Sequence, residues 1–189
     1  MAARSLLDRL EELCNVDVDD VDTEVVKSLP FTPHNQTSNQ AIITKRLLEP
    51  KNKALLEDLI DKYGKEGWEH VYNMAVCQQQ SPATAITLCA RNIPYLSGRV
   101  LVQTSLRHVH DRDAIIKQCL AYAEAFEQAG VSRDRFAIKL PFSGSAASAA
   151  LELNAQGIRT LATAVFSLEQ AIAASQSNCL FVSPYYNGQ

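Results

Sequence analysis

The chain has 189 residues, 47% of them hydrophobic and 21% charged, with a formal net charge of -3. That suits one globular domain, residues 1–189, with a sizeable core. It gives no basic field for nucleic acid, and charges recur too often for a membrane span. Five cysteines (Cys14, Cys77, Cys89, Cys119, Cys179) show no CxxC pair and no metal-ligand spacing. Reduced thiols in a cytoplasmic protein without a metal site are therefore expected. The start, Met1-Ala2-Ala3-Arg4-Ser5, lacks the apolar core of a signal peptide.

Leu6, Leu7, Leu10 and Leu13 recur at helical spacing, which predicts an amphipathic helix over 4–14. Residues 15–22 alternate valine with aspartate, suiting a short strand that ends in acids, then a helix over 23–29. Pro30 and Pro33 forbid a continuous helix between them. Thr37-Ser38-Asn39 offers caps for a helix over 41–48, and 51–63 and 65–79 are expected to be further helices. Ser81-Pro82 has the form of a helix start, with serine as cap and proline at the first position.

From Gly98 the pattern becomes regular. Strands are expected at 99–106, 135–140, 158–166 and 180–183, with helices at 111–129, 143–156 and 167–175. Gly130 and Gly157 stop two of those helices. Alternation of strand and helix predicts an α/β, TIM-barrel-like (β/α) fold. Extra helices precede it, and about six of the eight strands of a full barrel are expected.

In such a fold the chemistry sits at the C-terminal ends of the strands. Lys139 stands there, inside the apolar run Arg135–Pro141. Lysine is among the residues least often buried unpaired, and burial lowers its pKa toward that of a nucleophile. Most strand lysines face solvent, so this position alone does not decide the matter. Its companions at strand ends are Asp17, Asp19, Asp20, Asn39, Gln103, Thr163, Ser183 and Tyr185. One amine with carboxylates, hydroxyls and amides suits carbonyl chemistry through an imine. Each also has a plain reading: Asp17–Asp22 as a solvated cap cluster, Gln103 and Thr163 as ordinary strand residues, Tyr185 as a surface aromatic. His108-x-His110 lacks a third ligand, and Ser143-Gly144-Ser145 is as readily a cap as an anion site.

Over residues 15–188 the chain resembles the transaldolase family and its class I aldolase relatives. The likeness rests on Gly98-Arg99-Val100, Ala129–Arg135 with Ile138-Lys139-Leu140, and Gln156-Gly157-Ile158. It continues through Thr163-x-x-Phe166-Ser167 with Gln170-Ala171, and Val182-Ser183-Pro184-Tyr185. The resemblance implies a Schiff-base lysine at Lys139 and an acid–base aspartate at Asp19, with Asp17 and Asp20 as alternates. It implies substrate contacts from Asn39 and Ser183, and a water-holding threonine at Thr163. Transaldolases typically have glutamate where Gln103 stands and phenylalanine where Tyr185 stands. Fructose 6-phosphate aldolases have glutamine and tyrosine there, so Gln103, Thr163 and Tyr185 resemble their water-holding set. Gln40 replaces the family's usual proline and Leu161 a frequent asparagine.

The resemblance implies no cofactor and a small carbonyl or sugar substrate. The family's phosphate-gripping arginine is not found in Asn187-Gly188-Gln189, which favours smaller or uncharged carbonyl compounds. An incomplete barrel exposes strand edges, so a homo-oligomer covering the open edge is expected. A non-catalytic homologue and a diverged Schiff-base catalyst are the alternatives.

Overall fold

The computed structural model describes residues 5–67 and 86–186. The expected helix over 65–79 falls largely outside these residues, and the Ser81-Pro82 start entirely so. The chain divides into two compact units, Met1–Val100 and Leu101–Gln189.

The first unit is mainly helical. Helix α1 (Leu6–Glu11) begins with a capping box between Ser5 and Asp8. It is shorter than the leucine spacing suggests and buries none of its own residues. The first expected strand is reduced to a parallel bridge between Val18 and Gln36. Helix α2 (Thr23–Ser28) is capped by Asp22. Strand β1 (Gln36–Thr37) is followed by α3 (Gln40–Leu47), α4 (Lys53–Tyr63) and α5 (Ile86–Ala90). Gly98 closes the unit where no side chain fits, because a Cβ there would lie 2.5 Å from Asn35 Oδ1 and 2.7 Å from the His34 carbonyl oxygen.

The second unit carries the regular alternation: β2 (Val100–Gln103), α6 (Arg112–Gln128), β3 (Phe136–Pro141), α7 (Gly144–Ala155), β4 (Thr160–Val165), α8 (Leu168–Gln176) and β5 (Phe181–Pro184). These four strands lie side by side in chain order. The pairs β3–β4 and β4–β5 are parallel, as βα grammar requires. Each helix is capped as its sequence suggests, α6 by Asp111, α7 by Ser143 and α8 by Ser167. Gly130 takes φ +77° just after α6, a conformation that favours glycine.

Strand alternation sends Phe136, Ile138 and Leu140 to one face of the sheet. On that side Phe126 of α6 stacks on Phe136 with ring centroids 4.7 Å apart. Ile115, Cys119, Tyr122 and Ala123 of the same helix are also buried. The other face holds Leu101, Ala137 and Leu161 in a core cluster, with Leu180 and Phe181 packed against it. The result is an α/β fold with the strand–helix order of a TIM-like barrel, with five strands in the sheet among the described residues.

Candidate active site

The apolar cluster of Leu101, Ala137 and Leu161 fixes where the polar layer falls. Two residues further along each strand, on the same face, stand Gln103, Lys139 and Thr163. The pairings Lys139↔Leu161 and Pro141↔Thr163 show that β3 and β4 keep this alternation in step. On β5, Phe181 pairs with Leu161, so Ser183 is the corresponding residue of the polar layer. Sequence reasoning placed these four at strand ends, and the second unit brings them to one sheet face above an apolar floor.

Burial sharpens the picture. Gln103 and Lys139 are each 5% exposed and Thr163 is fully buried. A lysine with so little contact with water is unusual. The backbone around it is fixed: the Lys139 carbonyl accepts from Thr104 N at 3.0 Å and Thr104 Oγ1 at 3.3 Å.

Thr163 stands at an irregularity. The β4–β5 register shifts between Ala162 and Val165, and within that bulge Ala164 takes φ +55°. An alanine in the left-handed region is strained by about 1–2 kcal/mol, and bulges re-aim side chains next to functional sites. The Thr163 hydroxyl lies beside this strain, buried and without a hydrogen-bond partner among the described residues. A buried hydroxyl left unpaired is costly, so this group is placed for something other than stability.

Gln170 ties the ends of β3 and β4 together. Its Oε1 accepts from Phe166 N at 2.8 Å, and its Nε2 donates to the Phe142 carbonyl at 3.0 Å. Gln118 holds the segment after β2 to α6, accepting from Ser105 N at 3.1 Å and donating to the hydroxyl of Tyr122 on the same helix at 3.1 Å. Sequence reasoning gave no such role to either glutamine; the only local signal is a glutamine in or near the first turns of the helix after a strand. Tyr185 is 42% exposed, its ring edge-on to Phe166 with centroids 5.6 Å apart.

The first unit holds the aspartates and Asn39. Val18 is buried by its bridge, so strand alternation turns Asp17 and Asp19 the other way. Asp17 is taken up by Asn35, accepting from its backbone N at 2.9 Å and from Nδ2 at 3.0 Å. Asp20 is forked by Arg46, whose Nε donates at 2.7 Å while a second guanidinium nitrogen also reaches the carboxylate. Burial pushes the Asp20 pKa up, but Arg46 and the backbone N–H groups of Asp22 and Val21 together outweigh it and hold the carboxyl below its ordinary value. Asp22 caps α2 and pairs with Lys51, which lowers its pKa. Asp19 is exposed and makes no hydrogen bond or ion pair among the described residues. Of the three candidate carboxylates it alone has no structural task there. Asn39 caps α3, accepting from Ile42 N at 3.0 Å.

Among the described residues no group of three His, Cys, Asp or Glu is placed to hold a metal, and no helix is long and apolar enough to cross a membrane. Ser143 and Ser145 donate their hydroxyls to the carbonyls of Val109 and His110, so the α7 start is a cap tied to the preceding loop.

Known proteins resemble the chain over nearly its whole length. Residues 16–188 match a family model described as Transaldolase/Fructose-6-phosphate aldolase. Over 181 residues the chain is 27% identical to a transaldolase of Gloeobacter violaceus, covering 96% of this chain and 46% of that protein. It is 26% identical over 183 residues to a transaldolase of Methylococcus capsulatus, covering 97% and 55% respectively. A transaldolase of Acidobacterium capsulatum is 25% identical over 183 residues, with 97% and 54% covered. The chain thus spans about half the length of the curated relatives it matches.

Proposed function

This chain belongs to the transaldolase/fructose-6-phosphate aldolase family, and from that premise we propose that it makes or breaks a carbon–carbon bond of a ketose or related carbonyl compound through an imine on Lys139. The observation that carries the reading is a lysine only 5% exposed, set in a polar layer with Gln103, Thr163 and Ser183.

The neutral Lys139 amine attacks the carbonyl carbon, giving a carbinolamine. Loss of water then leaves a protonated imine. Electrons of the adjacent carbon–carbon bond flow into that imine as a proton leaves the neighbouring hydroxyl, releasing an aldehyde and leaving an enamine. Asp19 is the proposed acid and base for these proton movements, because it has no competing partner among the described residues. Asn39, through the amide nitrogen its cap bond leaves over, and Ser183 are proposed to bind substrate hydroxyls. Gln103, Thr163 and Tyr185 are proposed to hold the water that enters or leaves at the imine carbon. Hydrolysis of the imine after the enamine is protonated gives cleavage; addition of the enamine to a second aldehyde gives transfer. Glutamine at 103, in place of the transaldolase glutamate, favours cleavage.

The test is intact mass after borohydride reduction with dihydroxyacetone or fructose 6-phosphate, which traps the imine as a stable amine. An adduct mapping to Lys139 and absent from Lys139→Ala is the expected outcome. A folded protein that gives no adduct with either ketone would favour a non-catalytic member of the family or a pocket remodelled for a different carbonyl compound. Gln103→Glu should raise the ratio of transfer to cleavage; an unchanged ratio rejects the water-holding assignment.

A further inference from the structure

At the N-terminal ends of β4 and β5 the second unit carries a polar cleft of about 470 Å³, within the size range of small-molecule sites. Arg159 precedes β4, Asn178 and Cys179 lie just before β5, Asn154 comes from the end of α7, and Ser175 from α8. None of the residues lining it is acidic.

Arg159 is the charged group of the cleft. Its guanidinium is half-buried and makes no hydrogen bond or ion pair among the described residues, and its Nε is shielded from solvent without an acceptor. The other arginines of α6 and α7's surroundings are engaged: Arg112 with Glu152, Arg133 with Glu127 and the Gln156 carbonyl. A guanidinium drawn partly out of water with no anionic partner is costly unless an anion completes it. The cleft around it is pinned by Asn154, whose Nδ2 donates to the Ala150 carbonyl at 2.8 Å and to Thr160 Oγ1 at 2.9 Å. Asn178 holds φ +58° at the turn into β5. Cys179 is a free thiol with Sγ 3.6 Å from Thr160 Oγ1. Burial pushes its pKa up, while the Arg159 charge acts on it in the opposite sense, so thiol and guanidinium share one field.

We propose that this cleft is a binding site for a small oxyanion-bearing molecule, a carboxylate or a phosphate, held by the Arg159 guanidinium with the Cys179 thiol beside it. The site does not depend on the imine reading, since it lies at the opposite ends of the strands from Lys139.

Cys179 supplies the reporter. Its alkylation by anionic iodoacetate and by neutral iodoacetamide is compared by peptide mapping, relative to the same two rates for a free cysteine. The expected result is an iodoacetate preference of about fivefold, the effect of one nearby unit charge in water. Arg159→Gln should remove the preference and Arg159→Lys retain part of it. Millimolar inorganic phosphate or acetate should slow the iodoacetate reaction without altering the iodoacetamide rate at any other cysteine. Protection by phosphate alone assigns a phosphate ligand, and by acetate alone a carboxylate. No preference in the unsubstituted protein, or no protection by either anion, overturns the proposal. The protection arm stands even if Arg159→Gln fails to fold.

Discussion

Asp17, Asp19 and Asp20 carry the same carboxylate and meet different fates. Asp17 is bound by Asn35 and Asp20 by Arg46, while Asp19 is left exposed and unbonded among the described residues. The consequence is measurable. Asp19→Asn should lower turnover by about 10²–10⁴-fold and leave the unfolding free energy, measured in urea, within about 0.5 kcal/mol of the parent. Asp20→Asn should cost about 2 kcal/mol of stability, the scale of a hydrogen bond to a charged group. If Asp19→Asn keeps full turnover and Asp20→Asn does not, the acid–base assignment passes to Asp20. Lys139 was legible in the sequence as an amine in an apolar run. That Asp19 is the uncommitted carboxylate was not, because the partners that claim its neighbours lie 18 and 26 residues away.

At the scale of elements, two features carry predictions. Ala164 adopts its left-handed conformation inside the β4 bulge. Glycine takes that conformation without strain but loses more entropy on folding, so Ala164→Gly should stabilise by about 0.5–1 kcal/mol. Ala164→Val should destabilise, since a β-branched side chain tolerates positive φ poorly. Chemical denaturation of the two variants checks this; equal midpoints would mean the bulge carries no strain.

The second feature is the network joining Asp20, Asp22 and Glu49 to Arg46 and Lys51. All three carboxyls are held below their ordinary values, 3.8 for aspartate and 4.5 for glutamate. A lowered folded pKa contributes stability above the unfolded value and loses it as pH falls through the folded one. Stability should therefore fall as pH drops below about 5 and on through the lowered folded values. Arg46→Gln should flatten that drop; an unchanged pH profile would show that the network is not its source. Neither feature could be read locally. Alanine has no sequence signature for positive φ, and the network joins α3 and the segment after it to the loop before α2.

For the molecule as a whole, β5 lies at the end of the sheet, and its outer edge carries a prediction about self-association. β5 alternates half-buried and exposed residues, whereas β3 is buried throughout. Val182 is 39% exposed, and Leu168 and Ile172 of α8 are 71% and 49% exposed. An apolar edge strand is a template for association. Sedimentation velocity on this chain should show concentration-dependent self-association that Val182→Lys weakens. A strictly monomeric chain at high concentration would show that the edge is blunted some other way.

The sequence by itself determined the alternation of strand and helix in the second unit, the caps, the glycine stops and the position of Lys139. These are local properties, set by hydrophobic period, turn chemistry and the conformational freedom of single residues. The ordered motifs from Gly98 to Tyr185 also carried the family resemblance, because they combine many such local requirements in one fixed order. Only the tertiary structure decided that Gln103, Lys139, Thr163 and Ser183 share one layer, since strand register fixes which residues meet. It alone left the Thr163 hydroxyl and the Arg159 guanidinium without partners among the described residues. Whether a polar group is satisfied depends on chain segments far away in sequence, and no local pattern encodes it.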